Sequence, residues 1–259
     1  HPQTLLSMEK SIELSRLAIG YRTKSGDRIV ASGLEAHLHA GQLTALLGVN
    51  GAGKSTLMRT MAGFMKPLSG QIHLLGRALD SYKEIEIAKR IGVVLTDNCR
   101  IAGMTAGELV ALGRSPYTGF WGRLQKGDRK LVAEAVERVG IAPLINRELT
   151  TLSDGERQKV VIAKALAQQT PIIFLDEPTA FLDYPSKMEL LHLLHSLAHD
   201  TGRTIFLSTH DLDAILPMAD HVWLLDKERS FREGTPASLA SALEDYFGYI
   251  HPSPTLEPV

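Results

Sequence analysis

An α/β fold, a doubly wound parallel sheet with an inserted helical subdomain, follows from three observations on this 259-residue sequence. First, four runs of strand length, at 43–47, 91–95, 172–175 and 204–207, are nearly continuous in apolar or β-favouring residues. Continuity instead of alternation marks strands buried on both faces of a parallel sheet. Second, helical periodicity fills the chain between these runs, as at 187–199, where Met188, Leu191 and Leu194 share one side. Third, the stretch from about 96 to 167 carries helix-like segments at 106–112 and 128–139 and no strand pattern. It reads as a helical subdomain set between two halves of the sheet. The main domain is expected at 8–235, with its core at 8–95 and 168–235, the helical subdomain at 96–167 and a C-terminal extension at 236–259.

The first apolar run leads into Gly48-Val49-Asn50-Gly51-Ala52-Gly53-Lys54-Ser55-Thr56, which satisfies G-x-x-x-x-G-K-[ST]. Leu57, Met61 and Phe64 then recur at helical spacing, and Gly63 is placed to stop that helix. Strand, glycine loop and helix are what phosphate binding requires. Glycines let successive backbone N–H groups turn inward, and the helix N-terminus adds the positive end of its dipole. Lys54 is expected to reach the β- and γ-phosphates and the Ser55 hydroxyl to ligate Mg²⁺. The chain is therefore expected to bind a nucleoside triphosphate.

Composition bounds the rest. Net charge is −1, from 28 Lys and Arg against 29 Asp and Glu, so no broad basic face for nucleic acid is expected. The single cysteine, Cys99, forms no internal disulfide, which favours a reducing compartment. No apolar run approaches the about 20 residues that span a bilayer, and no secretory signal is evident. A membrane, if involved, is reached through a partner. His1-Pro2 open the chain, and Met8 is the expected start.

Ile172-Ile173-Phe174-Leu175-Asp176-Glu177-Pro178 is an apolar strand that ends in two carboxylates. Asp176 is expected to hold Mg²⁺ through water, facing Ser55, and Glu177 to polarise the water that attacks the γ-phosphate. Leu152-Ser153-Asp154-Gly155-Glu156-Arg157-Gln158 opens a helix, with Ser153 and Glu156 spaced as a capping box. Beyond that structural role, Ser153, Gly155 and the helix N-terminus are suited to contact a γ-phosphate.

Taken in order, phosphate loop, helical insertion, Leu152–Gln158 segment, Asp176-Glu177 and His210, the chain resembles the ATP-binding-cassette ATPases over roughly residues 11–235. That resemblance implies a P-loop fold working as a head-to-tail homodimer, with ATP and Mg²⁺ held between the phosphate loop of one chain and the signature of the other. The nucleotide would meet Gly48, Asn50, Gly51, Ala52, Gly53, Lys54, Ser55 and Thr56 from one side, and Ser153, Gly155 and Glu156 from the other. Asp183, after Leu182, matches the loop that passes between the two sites. His210 matches the switch histidine that touches the γ-phosphate, and Tyr21 the aromatic that stacks on adenine, although a core role for Tyr21 is the plain alternative.

The sequence departs from the pattern at Asp154, where glycine is usual, and at Glu156, where glutamine is usual. An extra carboxylate facing a triphosphate repels it, so Asp154 must point away or be neutralised. Thr96 stands where the family has a Mg²⁺-contacting glutamine, with Asp97 and Asn98 as neighbouring substitutes. Within the family, Leu109 to Tyr117 and Phe120 to Leu124 resemble the branch of iron-chelate, haem and cobalamin importers, and so does Phe181. Plain packing of the inserted subdomain also accounts for the aromatic segment. The implied function is the ATP-hydrolysing subunit of a bacterial importer of cobalamin or an iron chelate. Its implied partners are a second copy, a polytopic permease dimer and, indirectly, a periplasmic binding protein, at the cytoplasmic face of the membrane. The rival is a non-transport cassette acting on nucleic acid or ribosomes. Such members bring coiled-coil insertions, a second cassette, zinc-binding cysteines or a basic face, and none is seen here.

Overall fold

All four apolar runs become parallel strands of one six-stranded sheet. The computed structural model describes residues 9–95, 101–118, 123–226 and 230–248. In chain order its strands are β1 (Lys10–Thr23), β2 (Gly26–His39), β3 (Leu43–Leu47), β4 (Ser69–Leu74), β5 (Arg77–Ala78), β6 (Ile91–Val94), β7 (Ile172–Asp176), β8 (Thr204–Thr209), β9 (His221–Leu225) and β10 (Phe231–Gly234). Its helices are α1 (Lys54–Met61), α2 (Glu84–Ala88), α3 (Ala106–Ala111), α4 (Lys126–Val139), α5 (Asp154–Ala167), α6 (Tyr184–Thr201), α7 (Leu212–Ile215) and α8 (Ala240–Phe247).

The larger sheet runs β10-β9-β3-β8-β7-β6, and all its pairings except β10 with β9 are parallel. Alternate residues of its strands face two separate cores, which is why the sequence shows no polar alternation. Leu43, Ala45, Leu47, Ile173, Leu175, Ile205 and Leu207 pack with helices α3 to α6. Leu46, Ile172, Phe174, Phe206 and Trp223 pack with α1 and a second sheet. There the rings of Phe174, Phe206, Trp223 and Phe231 meet edge to face at 5.4, 4.9 and 5.5 Å. Each such pair adds about 0.5–1.5 kcal/mol to burial.

That second sheet, antiparallel and ordered β2-β1-β4-β5, is absent from the sequence-based expectation. Its long strands are partly exposed and broken by register shifts, so neither strict alternation nor a continuous apolar run marks them. The helical region joins the first core through Leu109, Val110, Val136, Val139 and Val160. Buried Arg114 ties it together, donating to Asp128 Oδ1 at 2.9 Å and Ala167 O at 2.8 Å beneath the Tyr117 ring. Residues 119–122 of the aromatic segment lie outside the described residues. Beyond residue 236, α8 docks its buried Leu243 onto the same core. Among the described residues, no helix is long and apolar enough to cross a membrane.

Candidate active site

The loop from Gly48 to Gly53 leaves the end of β3 and turns into α1, as its sequence requires. Gly53 holds the position before the helix at φ 109°, and a Cβ there would lie 2.3 Å from Val30 Cγ1. At Gly48 a Cβ would come within 2.6 Å of Leu225 O. Only glycine fits either position. Lys54 is buried, and its ammonium donates to Gly48 O at 2.6 Å. Asn50, Gly51, Gly53, Lys54, Ser55 and Thr56 line a cavity of about 450 Å³, closed by Tyr21, Arg28, Val30 and Glu177. Ala52 packs into the core at the base of the loop. Tyr21, on β1, places its hydroxyl 3.1 Å from Thr56 Oγ1 and leaves much of its ring exposed at the cavity.

Across the rim, β7 ends in buried Asp176, level with Ser208 of β8. The Ser208 hydroxyl donates to Asp176 and accepts the Glu177 N–H. Glu177 adopts φ 48°, a left-handed conformation that costs a residue with a side chain about 1–3 kcal/mol. Its carboxylate then stands between two groups, with Oε1 3.4 Å from Lys54 Nζ and Oε2 3.0 Å from His210 Nδ1. His210 follows β8, and its side chain is more than half exposed. Phosphate loop, paired carboxylates and histidine thus converge on one rim. A hydroxyl at Ser55 and a buried carboxylate at Asp176 are hard oxygen donors of the kind Mg²⁺ selects.

Ser153, Gly155 and Glu156 are not brought to that cavity. They line a separate one of about 110 Å³ with Lys159, Leu182, Ser186 and Leu190. Ser153 caps α5, accepting from Glu156 N at 3.1 Å, while Glu156 Oε2 accepts from Ser153 N at 2.8 Å. This reciprocal bond holds the Glu156 carboxyl below its usual range. Asp154 is neutralised by Arg157 Nη1 at 2.6 Å. Buried Arg157 also donates to Leu149 O and Leu152 O. Asp183 caps α6 through Ser186 N at 3.0 Å. Thr96, with Asp97, Asn98 and Cys99, lies outside the described residues.

Sequence reasoning leaves out Ser208, Arg28 and Arg157. Ser208 sits inside a quoted motif, but its role depends on β7–β8 pairing. Arg28 reaches the cavity from an unrecognised strand, and Arg157 is a charged residue at a helix start that turns inward.

Residues 31–180 match the family model described as ABC transporter. Two relatives are the iron(3+)-hydroxamate import ATP-binding protein FhuC of Bacillus subtilis (strain 168) and the ferric enterobactin transport ATP-binding protein FepC of Escherichia coli (strain K12). FhuC is 37% identical over 225 residues, 87% of this chain and 82% of that protein. FepC is 37% identical over 227 residues, covering 88% and 82%. A structure described as a metal-chelate type ABC transporter, inward-facing, superposes with a TM-score of 0.80 at 28% identity, covering 92% of this chain and 89% of that one. Cassettes of this family dimerise and pair with transporter permeases. A family match over more than half the chain, carried by relatives that span nearly all of it, agrees with the geometry at the rim: the chain belongs to the ABC transporter ATP-binding family, as an ATP-hydrolysing subunit.

Proposed function

We propose that this chain energises bacterial uptake of a ferric siderophore-type chelate, working as a head-to-tail homodimer beneath a permease dimer at the cytoplasmic face of the membrane. Iron(3+)-hydroxamate import by FhuC and ferric enterobactin transport by FepC support the cargo class, with cobalamin as the competing cargo. The observation that carries the catalytic part is Glu177 standing between Lys54 and His210 on the wall of the phosphate-loop cavity.

In this reading the loop N–H groups and Lys54 hold the β- and γ-phosphates, and Tyr21 stacks on adenine. Ser55 and Asp176 would hold Mg²⁺, which when bound would neutralise the charge that develops on the transferred phosphoryl group. Glu177 takes the proton of the attacking water, and His210 orients Glu177 and meets the γ-phosphate. Ser153 and Gly155, in a separate cavity of their own chain, serve the nucleotide of the partner copy. A lone chain therefore hydrolyses ATP slowly.

Glu177→Gln tests the catalytic part. Turnover should fall about 10²–10⁴-fold while ATP binding persists; unchanged turnover would overturn the role. Recovery of the tagged chain from mild-detergent membrane extracts tests the rest. Retention of a polytopic permease supports import, whereas recovery of ribosomes or DNA alone refutes it. Uptake assays with ferric hydroxamate, ferric catecholate and cobalamin then separate the cargoes.

A further inference from the structure

Away from the rim, the C-terminal half of α6 carries two histidines one turn apart, His195 and His199. Their spacing puts both on one helix face, and their rings stack with centroids 4.2 Å apart at 18°. Opposite them is Asp220, just before β9. One ligand atom from each of the three lies within 4.8 Å of the other two. His199 Nε2 is 2.9 Å from Asp220 Oδ2, and that oxygen also accepts the Leu43 N–H at 2.8 Å. The carboxylate is thus aimed by backbone before any ion arrives, as outer partners aim ligands in metal sites.

We propose that His195, His199 and Asp220 form a binding site for one divalent transition-metal ion of the zinc class, set between α6 and the start of β3. An ordinary helix-to-strand ion pair accounts for His199 and Asp220 alone. It leaves His195 unexplained: among the described residues its imidazole makes no hydrogen bond and only stacks on His199. Two imidazole nitrogens with one carboxylate oxygen suit Zn²⁺, Co²⁺ or Ni²⁺ and not Mg²⁺ or Ca²⁺, which select oxygen. Tetrahedral zinc at its usual bond lengths needs ligand atoms about 3.4 Å apart. Side-chain rotation closes the remaining gap, since His195 and Asp220 are only half-buried and His199 is exposed. The ion takes the place of the hydrogen shared by His199 and Asp220; the Nε2 proton passes to solvent while Nδ1 takes one up, so His199 binds as the neutral Nδ1–H tautomer. Water fills the fourth position.

The site would tie two working elements together. At its N-terminus, α6 begins directly after Asp183, and β3 runs from Leu43 into the phosphate loop. None of the three ligands lines the nucleotide cavity, so metal and ATP bind independently in space. The proposal stands apart from the import reading.

The test uses the tag-free full chain, stripped with chelator and free of nucleotide, titrated with Zn²⁺ by calorimetry and with Co²⁺ by visible absorption. One ion per chain is expected, with a rise in melting temperature that chelator reverses. His195→Ala and His199→Ala should each weaken binding at least tenfold and remove the thermal shift. His192→Ala, an exposed histidine on the same helix, should change neither. These histidines lie on a solvated helix face, so circular dichroism confirms that the variants fold. Absence of binding by the wild-type chain overturns the proposal. So does binding that survives the His195→Ala/His199→Ala double variant, including binding that is lost on changing His37 and His39 instead.

Discussion

The Ser208 hydroxyl donates to Asp176 Oδ1 at 2.6 Å. Ser208 Oγ also accepts the Glu177 N–H at 2.9 Å, so one buried residue of β8 positions both carboxylates at the end of β7. Ser208→Ala strands the Glu177 N–H, a loss of about 1–3 kcal/mol. Urea unfolding should show a change of that size, and kcat should fall more than ATP affinity. An unchanged kcat would detach Ser208 from the chemistry.

Asp154 and Arg157 make a second pair whose members differ in burial. The Arg157 side chain is 5% exposed and that of Asp154 44%. Replacing Asp154 with the glycine usual in this family removes a partly solvated carboxylate and leaves the guanidinium its two carbonyls. The expected cost is about 1 kcal/mol, below the usual range for a bond to a charged group because water screens the partly exposed carboxylate. Arg157→Met removes all three donations and should cost more, about 2–3 kcal/mol, in the same denaturation assay.

Tyr21 offers the cavity a ring face and a hydroxyl. Tyr21→Phe deletes only the contact to Thr56 and should leave the Kd for ATP within about twofold, since an exposed hydroxyl exchanges that bond for water. Tyr21→Ala removes the ring and should weaken ATP binding about 5- to 150-fold, the range that aromatic stacking supports. Fluorescent-nucleotide titration distinguishes them. Equal, small effects would make Tyr21 a wall and not a stacking platform.

Glu156 gives a pH test. Its carboxyl titrates below the ordinary range because it accepts the Ser153 N–H, with burial opposing and Arg147 adding. A depressed folded-state value means the stabilisation is complete above the unfolded value of about 4.3 and is lost as pH falls through the folded one. The stability gap between wild type and Glu156→Ala should therefore hold from neutral pH to about 5 and shrink under more acid conditions. Glu156→Gln, which keeps a capping acceptor without a charge, should show a gap to alanine that does not change with pH.

What is legible in the sequence is what hangs on continuous apolar runs. The phosphate loop, Asp176-Glu177 and His210 each follow a strand buried on both sides, so strand and motif announce one another. The cavity wall is not legible, because β1 and β2 are half-exposed and slip register several times, and Arg28 and Val30 go with them. The pairings that give Ser208 and Arg157 their roles are equally hidden. Ser208 meets Asp176 across 32 positions of sequence, and Arg157 is a charge that local pattern assigns to solvent.

Register across β3, β8 and β7 places Leu46, Ser208 and Asp176 on one level. Neighbouring strands stand about 4.8 Å apart, so the sheet acts as a ruler for the three segments that leave its rim. A slip of one residue would turn Leu46, Phe174 and Phe206 to the opposite face, which the two cores forbid. Side chains in the loops can therefore be exchanged without changing the pitch of the site, while substitutions deep in the strands act on chemistry they never touch. Heating or denaturant should accordingly extinguish ATP turnover in the same cooperative step that opens the Phe174, Phe206 and Trp223 cluster, with no inactive intermediate that keeps the sheet.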